Sequence, residues 1–150
     1  MSGHATIIVG EQVRNANGEA IGPVRTRSVS GNSDSAFATS SSTLSTTIIQ
    51  NRQTLTASST LAAPGTTFNL AGQVSGIRSG SVWRTGWSAA GLTNLSQATF
   101  AATYGDSGGP IYRLISGTRP VAGILVGESG GYRAFCLNAA ILSTHGISMF

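Results

Sequence analysis

The chain has 150 residues, the ordinary length of one domain, and is long enough to bury a hydrophobic core. Only 9% of its residues are charged, which excludes charge-driven disorder and a long salt-bridged coiled coil. The net charge of +4 comes from Arg and the acidic residues alone, because Lys is absent. The arginines are scattered and are not interleaved with aromatic residues, so no nucleic-acid-binding surface is predicted.

The sequence has no predicted membrane-spanning or signal segment and only one cysteine. No run of 18 or more apolar residues is present, so no membrane-spanning segment is predicted, and no signal peptide is visible. The single cysteine, Cys136, excludes an intramolecular disulfide and a multi-cysteine zinc site. Because Cys136 lies in the apolar stretch 134–137, we expect a buried and unreactive thiol.

Short strands separated by turns are predicted for the first half of the chain. Apolar and β-branched runs there alternate with turn signals rich in Gly, Asn and Ser. The predicted strands cover residues 5–9, 20–29 and 36–38, with turns at 15–18 and 30–33. Pro23 cannot donate a backbone hydrogen bond, so its strand is expected near a sheet edge. A boundary between two halves is expected between residues 50 and 64.

The second half continues the pattern and ends in one short helix. Strands are predicted over residues 68–77, 81–88, 98–104, 110–115, 120–126 and 132–137, with a hairpin turn at 116–118. Asn138 is expected to cap a helix over residues 138–145, and Gly146 is expected to end it. Many short strands with a single helix indicate an all-β barrel or sandwich.

The most informative motif is GDSGGP at residues 105–110. Its glycines allow the backbone to curl tightly, with positive φ where required. This curl leaves the Ser107 hydroxyl and the N–H groups of Gly105 and Ser107 facing one concavity. Such a group of donors is what a tetrahedral oxyanion requires.

A nucleophilic serine needs a base, normally a histidine that a carboxylate orients. The chain has two histidines, His4 and His145, and Asp34 is the only aspartate that does not adjoin Ser107. The order His4, Asp34, Ser107 is the chain order of chymotrypsin-type enzymes. For His145 we expect only a residue of the last helical turn, suited to the helix dipole.

In these motifs the chain resembles the chymotrypsin-fold serine peptidases, and the details look most like the bacterial streptogrisin and α-lytic branch. Five stretches that together span nearly the whole chain carry the resemblance: SGHA at 2–5, NSDSAFA at 32–38, and the segments 74–86, 105–110 and 142–150. The resemblance implies an all-β fold of two antiparallel barrels with a short C-terminal helix. We expect the first barrel to be incomplete and to cover residues 1–55, and the second to cover 56–150.

The resemblance also implies a serine endopeptidase that works through an acyl-enzyme. His4 would be the general base, Asp34 its orienting carboxylate and Ser107 the nucleophile. The backbone amides of Gly105 and Ser107 would form the oxyanion hole. The resemblance implies no cofactor and no metal, a protein or peptide substrate, and a secreted protein.

The same resemblance implies where a substrate would bind. The segment that pairs with the substrate backbone and walls the primary pocket corresponds to Leu125, Val126 and Gly127. Ala101 stands six residues before Ser107, where trypsin-like members carry an acid, which implies an apolar or small side chain before the cut. Glu128 lies near the same pocket, with no assigned role.

Three departures from the family pattern leave alternatives open. Family members have strands before the histidine motif, so we expect a further segment or a partner chain to complete the first barrel. Ala5 replaces a cysteine, and Ser35 stands where an aromatic residue is common. The alternative function is a peptidase-like module that binds a peptide or partner without catalysis. An α/β-hydrolase order of Ser107, Glu128 and His145 is disfavoured, because the sequence predicts almost no helix.

Overall fold

The computed structural model describes residues 1, 4, 8–15, 17–40, 48–49 and 52–149. Within them the secondary structure is mostly strand, with one short C-terminal helix. The elements in chain order are β1 (Gln12–Arg14), β2 (Ala20–Ser30), β3 (Ser33–Ala38), β4 (Ile48–Ile49), β5 (Gln53–Thr54), β6 (Thr56–Ser59), β7 (Thr67–Gly72), β8 (Gly76–Ala89), β9 (Leu92–Ala98), β10 (Pro110–Tyr112), β11 (Pro120–Ser129), β12 (Tyr132–Leu137) and α1 (Asn138–His145).

Strands of the second half close into an antiparallel barrel. They are hydrogen-bonded in the order β10-β7-β8-β9-β12-β11, and the pairing of β10 with β11 closes the ring. β6 adds to β11 as a parallel strand outside the ring. Closure leaves no open sheet edge between these strands. Large side chains fill the barrel: Phe68, Leu70, Val82, Phe100, Ile111, Leu125 and Phe135.

Strands of the first half form two smaller sheets. β1, β2 and β3 make an antiparallel sheet in that order, and β4 pairs with β5. The amide of Thr93 donates to the carbonyl of Gly31 at 2.6 Å, which joins the β2–β3 turn to the start of β9. α1 also packs against β3, so the C-terminal helix touches both halves.

Several predicted elements are confirmed. Asn15 and Gly18 close the first hairpin, since the Gly18 amide donates to the Asn15 carbonyl at 3.0 Å. The hairpin turn at 116–118, the strand at 132–137 and the helix at 138–145 are present. Gly146 ends the helix in the left-handed conformation with φ 62°. No helix among the described residues is long and apolar enough to cross a membrane.

Two strand predictions in the second half are wrong. The strand expected over 98–104 is a loop, and the true strand, β9, comes before it. Ala98 ends β9 and Phe100 lies in the loop after it, and both side chains are buried in the barrel core. These apolar residues therefore fill the core without forming a strand of their own. The run 68–77 is split because the amides of Val74 and Ser75 turn away from the sheet toward Asp106.

Three local predictions in the fold are also corrected. Pro23 lies on β2, the middle strand of its sheet, where the ladder to β3 ends at the pair Val24–Ala38. Asn138 is not a helix cap, because its side chain donates to Ser59 Oγ instead. Of the predicted first strand, residues 5–7 lie outside the described residues, and 8–9 form an exposed turn.

Candidate active site

His4 and Asp34 form a paired histidine and carboxylate. The His4 Nδ1 atom is hydrogen-bonded to Asp34 Oδ2, and the His4 amide donates to Asp34 Oδ1 at 2.8 Å. Asp34 is only 2% exposed, whereas the His4 side chain is 47% exposed. The buried carboxylate therefore holds a ring that is about half exposed.

β3 and its neighbours hold Asp34 from the other side. The Asp34 amide donates to Sγ of Cys136 on β12 at 3.0 Å. The next residue, Ser35, is buried, and its hydroxyl bonds Nε2 of His145 at 2.7 Å. The other ring nitrogen of His145 bonds Thr26 Oγ1 at 2.6 Å. Strand β3 is thus fixed to both β12 and α1.

The titration of these supporting groups follows from their burial. Burial raises the pKa of the Cys136 thiol to about 11. The hydrogen bond from the Asp34 amide lowers this pKa in part, and the negative charge of Asp34 raises it further. Burial, followed by the positive charge of the Met1 amino group, lowers the pKa of His145. Cys136 is therefore a buried thiol, and His145 is neutral near pH 7.

Ser107 lies in the loop between β9 and β10. The Gly108 amide donates to the Leu125 carbonyl at 2.7 Å, and the Leu125 amide donates to the Gly109 carbonyl at 2.9 Å. The Ser107 hydroxyl donates to the Val126 carbonyl at 3.0 Å, and it makes no hydrogen bond to His4. Among the described residues the amides of Gly105 and Ser107 have no acceptor, and Gly105 has φ 97°. The loop thus presents two backbone donors without a partner, one of which is the amide of Ser107 itself.

Asp106 anchors this loop from behind. Its carboxylate accepts hydrogen bonds from the amides of Val74, Ser75 and Thr103 at 2.8–3.0 Å and from the Ser75 hydroxyl at 2.5 Å. Burial alone would raise the pKa of Asp106, but these hydrogen bonds lower it to about 2. Gly72 leaves room for the carboxylate, since a Cβ there would lie 2.5 Å from Oδ1.

Ser107 lines two open cavities. The first, of about 390 Å³, is also lined by Ile49 and by Ala71, Gly72 and Gln73. The second, of about 350 Å³, is lined in part by Ala102, Leu125, Gly127, Glu128 and Arg133. Ser107 therefore adjoins open space in both cavities.

The predicted site residues are distributed as follows. His4 and Asp34 are together, and Gly105 and Ser107 present free amides in one loop. Leu125 and Gly127 line the second cavity, and Val126 contacts Ser107 through its carbonyl. Ala101 is exposed and is not part of the cavity lining, which its neighbour Ala102 joins instead.

Sequence reasoning missed two contributors to this region. Arg133 lines the second cavity and forms an ion pair with Glu128 on the neighbouring strand. A hairpin turn at Gly130 and Gly131 places these two residues opposite each other, so the sequence could have predicted the pair. Ser75 supports Asp106 from a distant turn, which no local signal indicates. Within the described part of the chain, no three His, Cys, Asp or Glu side chains gather as a metal site.

Solved structures with the same arrangement of strands are bacterial serine proteases. The Nocardiopsis protease NAPase matches with 26% identity and a TM-score of 0.79, covering 99% of this chain and 82% of its own. Thermobifida fusca protease A matches with 25% identity and a TM-score of 0.77, covering 99% and 81%. Cellulomonas bogoriensis chymotrypsin matches with 23% identity and a TM-score of 0.77, covering 99% and 83%.

The chain has the chymotrypsin fold. No protein-family model matches the sequence, and no curated protein matches it by sequence. The resemblance that the motifs indicated is therefore confirmed by three-dimensional structure. The Thermobifida and Nocardiopsis proteases support the peptidase class for this chain. The predicted all-β architecture with one short C-terminal helix is confirmed.

Proposed function

We propose that the chain is a serine endopeptidase in which Ser107 is the nucleophile, His4 the general base and Asp34 the residue that orients it. The observation that carries the proposal is the hydrogen-bonded pair of His4 Nδ1 with the buried Asp34 carboxylate. A carboxylate partner at Nδ1 favours the tautomer that carries its proton there, which would leave Nε2 able to accept the proton of Ser107.

Acylation would begin with a rotation of the Ser107 hydroxyl from the Val126 carbonyl toward His4 Nε2. Catalytic hydrogen bonds of this kind often form fully only when substrate is bound. His4 Nε2 takes the hydroxyl proton as Ser107 Oγ bonds to the carbonyl carbon, and the carbonyl electron pair moves to oxygen. The oxyanion then accepts hydrogen bonds from the N–H groups of Gly105 and Ser107. Neither amide has an acceptor among the described residues, which supports the proposed oxyanion hole.

The second half of the reaction returns the enzyme to its starting state. The tetrahedral intermediate collapses, the C–N bond breaks, and the leaving amine takes the proton from His4 Nε2. Water then attacks the ester carbonyl while His4 Nε2 takes its proton. The bond from the carbonyl carbon to Ser107 Oγ breaks, Oγ takes that proton from His4, and the acid product leaves. No cofactor takes part in these steps. Asp34 stabilises the imidazolium at both stages through its bond to Nδ1.

The experiment that tests the proposal is intact-mass analysis after incubation with a fluorophosphonate. We expect one adduct on the parent chain and none on Ser107→Ala or His4→Ala, each shown to be folded by thermal unfolding. A folded parent without an adduct would contradict the proposal for this polypeptide.

A non-catalytic binding module is the second candidate. It is favoured by the hydrogen bond from Ser107 Oγ to the Val126 carbonyl, which leaves His4 and Ser107 unbonded to each other. In this case peptides would bind across the cavities beside Ser107 without reaction. Peptide binding by a folded chain that does not react with the fluorophosphonate would identify it.

The substrate and compartment follow from the same proposal. A peptidase of this fold would act on protein or peptide chains that bind at the two cavities lined by Ser107. We propose an extracellular location from the resemblance to the bacterial proteases. The division into barrels at residues 1–55 and 56–150 also stays a prediction.

A further inference from the structure

The second cavity beside Ser107 contains a fixed positive charge. Arg133 lies on β12 in register with Glu128 on β11, and both side chains line the cavity. The Arg133 Nε and Nη2 atoms donate to the Ala102 carbonyl at 3.2 and 2.9 Å. The guanidinium is therefore fixed in place, because two of its nitrogens donate to one backbone carbonyl and the side chain is only 23% exposed.

Glu128, in contrast, is a replaceable partner. Its carboxylate accepts a hydrogen bond from Arg133 Nη1, but its side chain is 60% exposed, against 23% for Arg133. Gly127 before it has open space around its Cα, and the turn after Ser129 consists of two glycines with positive φ. An ion pair with one partner this exposed contributes little stability, so another carboxylate can take its place.

We infer that this cavity receives a Glu or Asp side chain of the substrate, whose carboxylate replaces that of Glu128 on Arg133; the inference rests on the proposed peptidase function. Arginine presents a planar fork of donors that matches a carboxylate. The cavity also contains Ser107, so a side chain bound there belongs to the residue next to the reacting carbonyl.

The opposite assignment, a basic side chain bound by Glu128, is disfavoured by the same contacts. A substrate Lys or Arg would have to lie beside the guanidinium, which the Ala102 carbonyl keeps in the cavity. Like charges at this distance repel. The expectation of an apolar or small side chain came from Ala101, which lies outside the lining.

The test compares peptide amides that differ only in the residue before the cut: Glu, Gln, Leu and Arg. We expect the parent to cleave the Glu peptide about 10- to 100-fold faster than the Gln peptide in kcat/KM, as a charge-assisted hydrogen bond predicts. Arg133→Gln should abolish this ratio, and Glu128→Gln should raise cleavage of the Glu peptide. The matched control Arg78→Gln removes an exposed charge elsewhere and should keep the parent ratio.

Each alternative has its own outcome. Fastest cleavage of the Arg peptide, lost in Glu128→Gln, would overturn the inference in favour of a basic side chain. Fastest cleavage of the Leu peptide, unchanged in Arg133→Gln, would overturn it in favour of an apolar one. The ratio within one variant does not depend on how much of that variant is folded.

A binding measurement separates this inference from the proposed peptidase function. Ser107→Ala is titrated with fluorescent peptides carrying Glu or Gln at the same position. Tighter binding of the Glu peptide, weakened by salt and lost in the double variant with Arg133→Gln, would support the acidic site even if the parent does not react with fluorophosphonate. Equal binding of the two peptides would overturn the inference.

Discussion

The backbone amide of Asp34 donates a hydrogen bond of 3.0 Å to Sγ of Cys136, which lies 102 residues further along the chain. Asp34 holds His4 through its side chain, so the strand that carries the carboxylate is tied to the barrel that carries Ser107. A buried thiol thereby takes part in the geometry of the site without chemistry of its own.

The Cys136 contact predicts a difference between two substitutions. Cys136→Ala leaves the buried Asp34 amide without an acceptor, which costs about 1–3 kcal/mol, whereas Cys136→Ser keeps an oxygen acceptor there. Denaturant unfolding should therefore give a lower free energy of unfolding for Ala than for Ser. Equal values for the two variants would mean that the Sγ contact contributes nothing.

Replacement of Asp34 tests the orienting role directly. Asp34→Asn puts an amide beside His4 Nδ1 and favours the wrong tautomer of the ring. We expect the rate of phosphonylation at Ser107 to fall by about 10²- to 10⁴-fold. Stopped-time intact-mass measurements give the rate, and thermal unfolding checks the fold. A folded variant that reacts at the parent rate would remove Asp34 from the mechanism.

Asp106 predicts a loss of stability in acid. Its pKa is about 2 in the folded chain, below the ordinary 3.8, so its contribution is present above pH 3.8 and is lost as the pH falls toward 2. Acid titration followed by tryptophan fluorescence should show this loss in the parent. Asp106→Asn removes the titrating group, so stability should depend less steeply on pH in this window.

The same substitution affects the loop of Ser107. An Asn side chain offers one acceptor oxygen where the carboxylate accepts from Val74, Ser75 and Thr103 on both oxygens. Phosphonylation of Asp106→Asn at neutral pH should consequently be slower than in the parent. Ser75→Ala removes one donor only, and its rate should lie between the two.

His145 predicts a second pH dependence, near neutrality. Burial lowers its pKa below the ordinary 6.5, so the unfolded chain binds more protons and stability falls as the pH drops through about 6.5. The positive Met1 amino group adds to this lowering of the His145 pKa. In His145→Gln the free energy of unfolding, measured with urea, should change less between pH 7 and 5 than in the parent. An unchanged dependence would mean that other groups cause it.

Much of the architecture was predictable because its signals are local. Alternating apolar residues and Gly-rich turns indicated the hairpins, and Gly146 indicated the end of α1. The GDSGGP motif indicated the loop of Ser107 from six adjacent residues. Errors arose where a distant group competed for backbone amides, as Asp106 does for Val74 and Ser75.

The sequence by itself thus determined an all-β chain with one short helix, and it predicted His4, Asp34 and Ser107 as partners in a site. Only the tertiary structure decided which groups meet: Asp34 with Cys136, Ser35 with His145, and Arg133 with Glu128 inside a cavity beside Ser107. Hydrogen bonds over 102 and 110 residues depend on sheet register and on the closure of the barrel. Closure is a property of all the strands together, and no local run of residues specifies it.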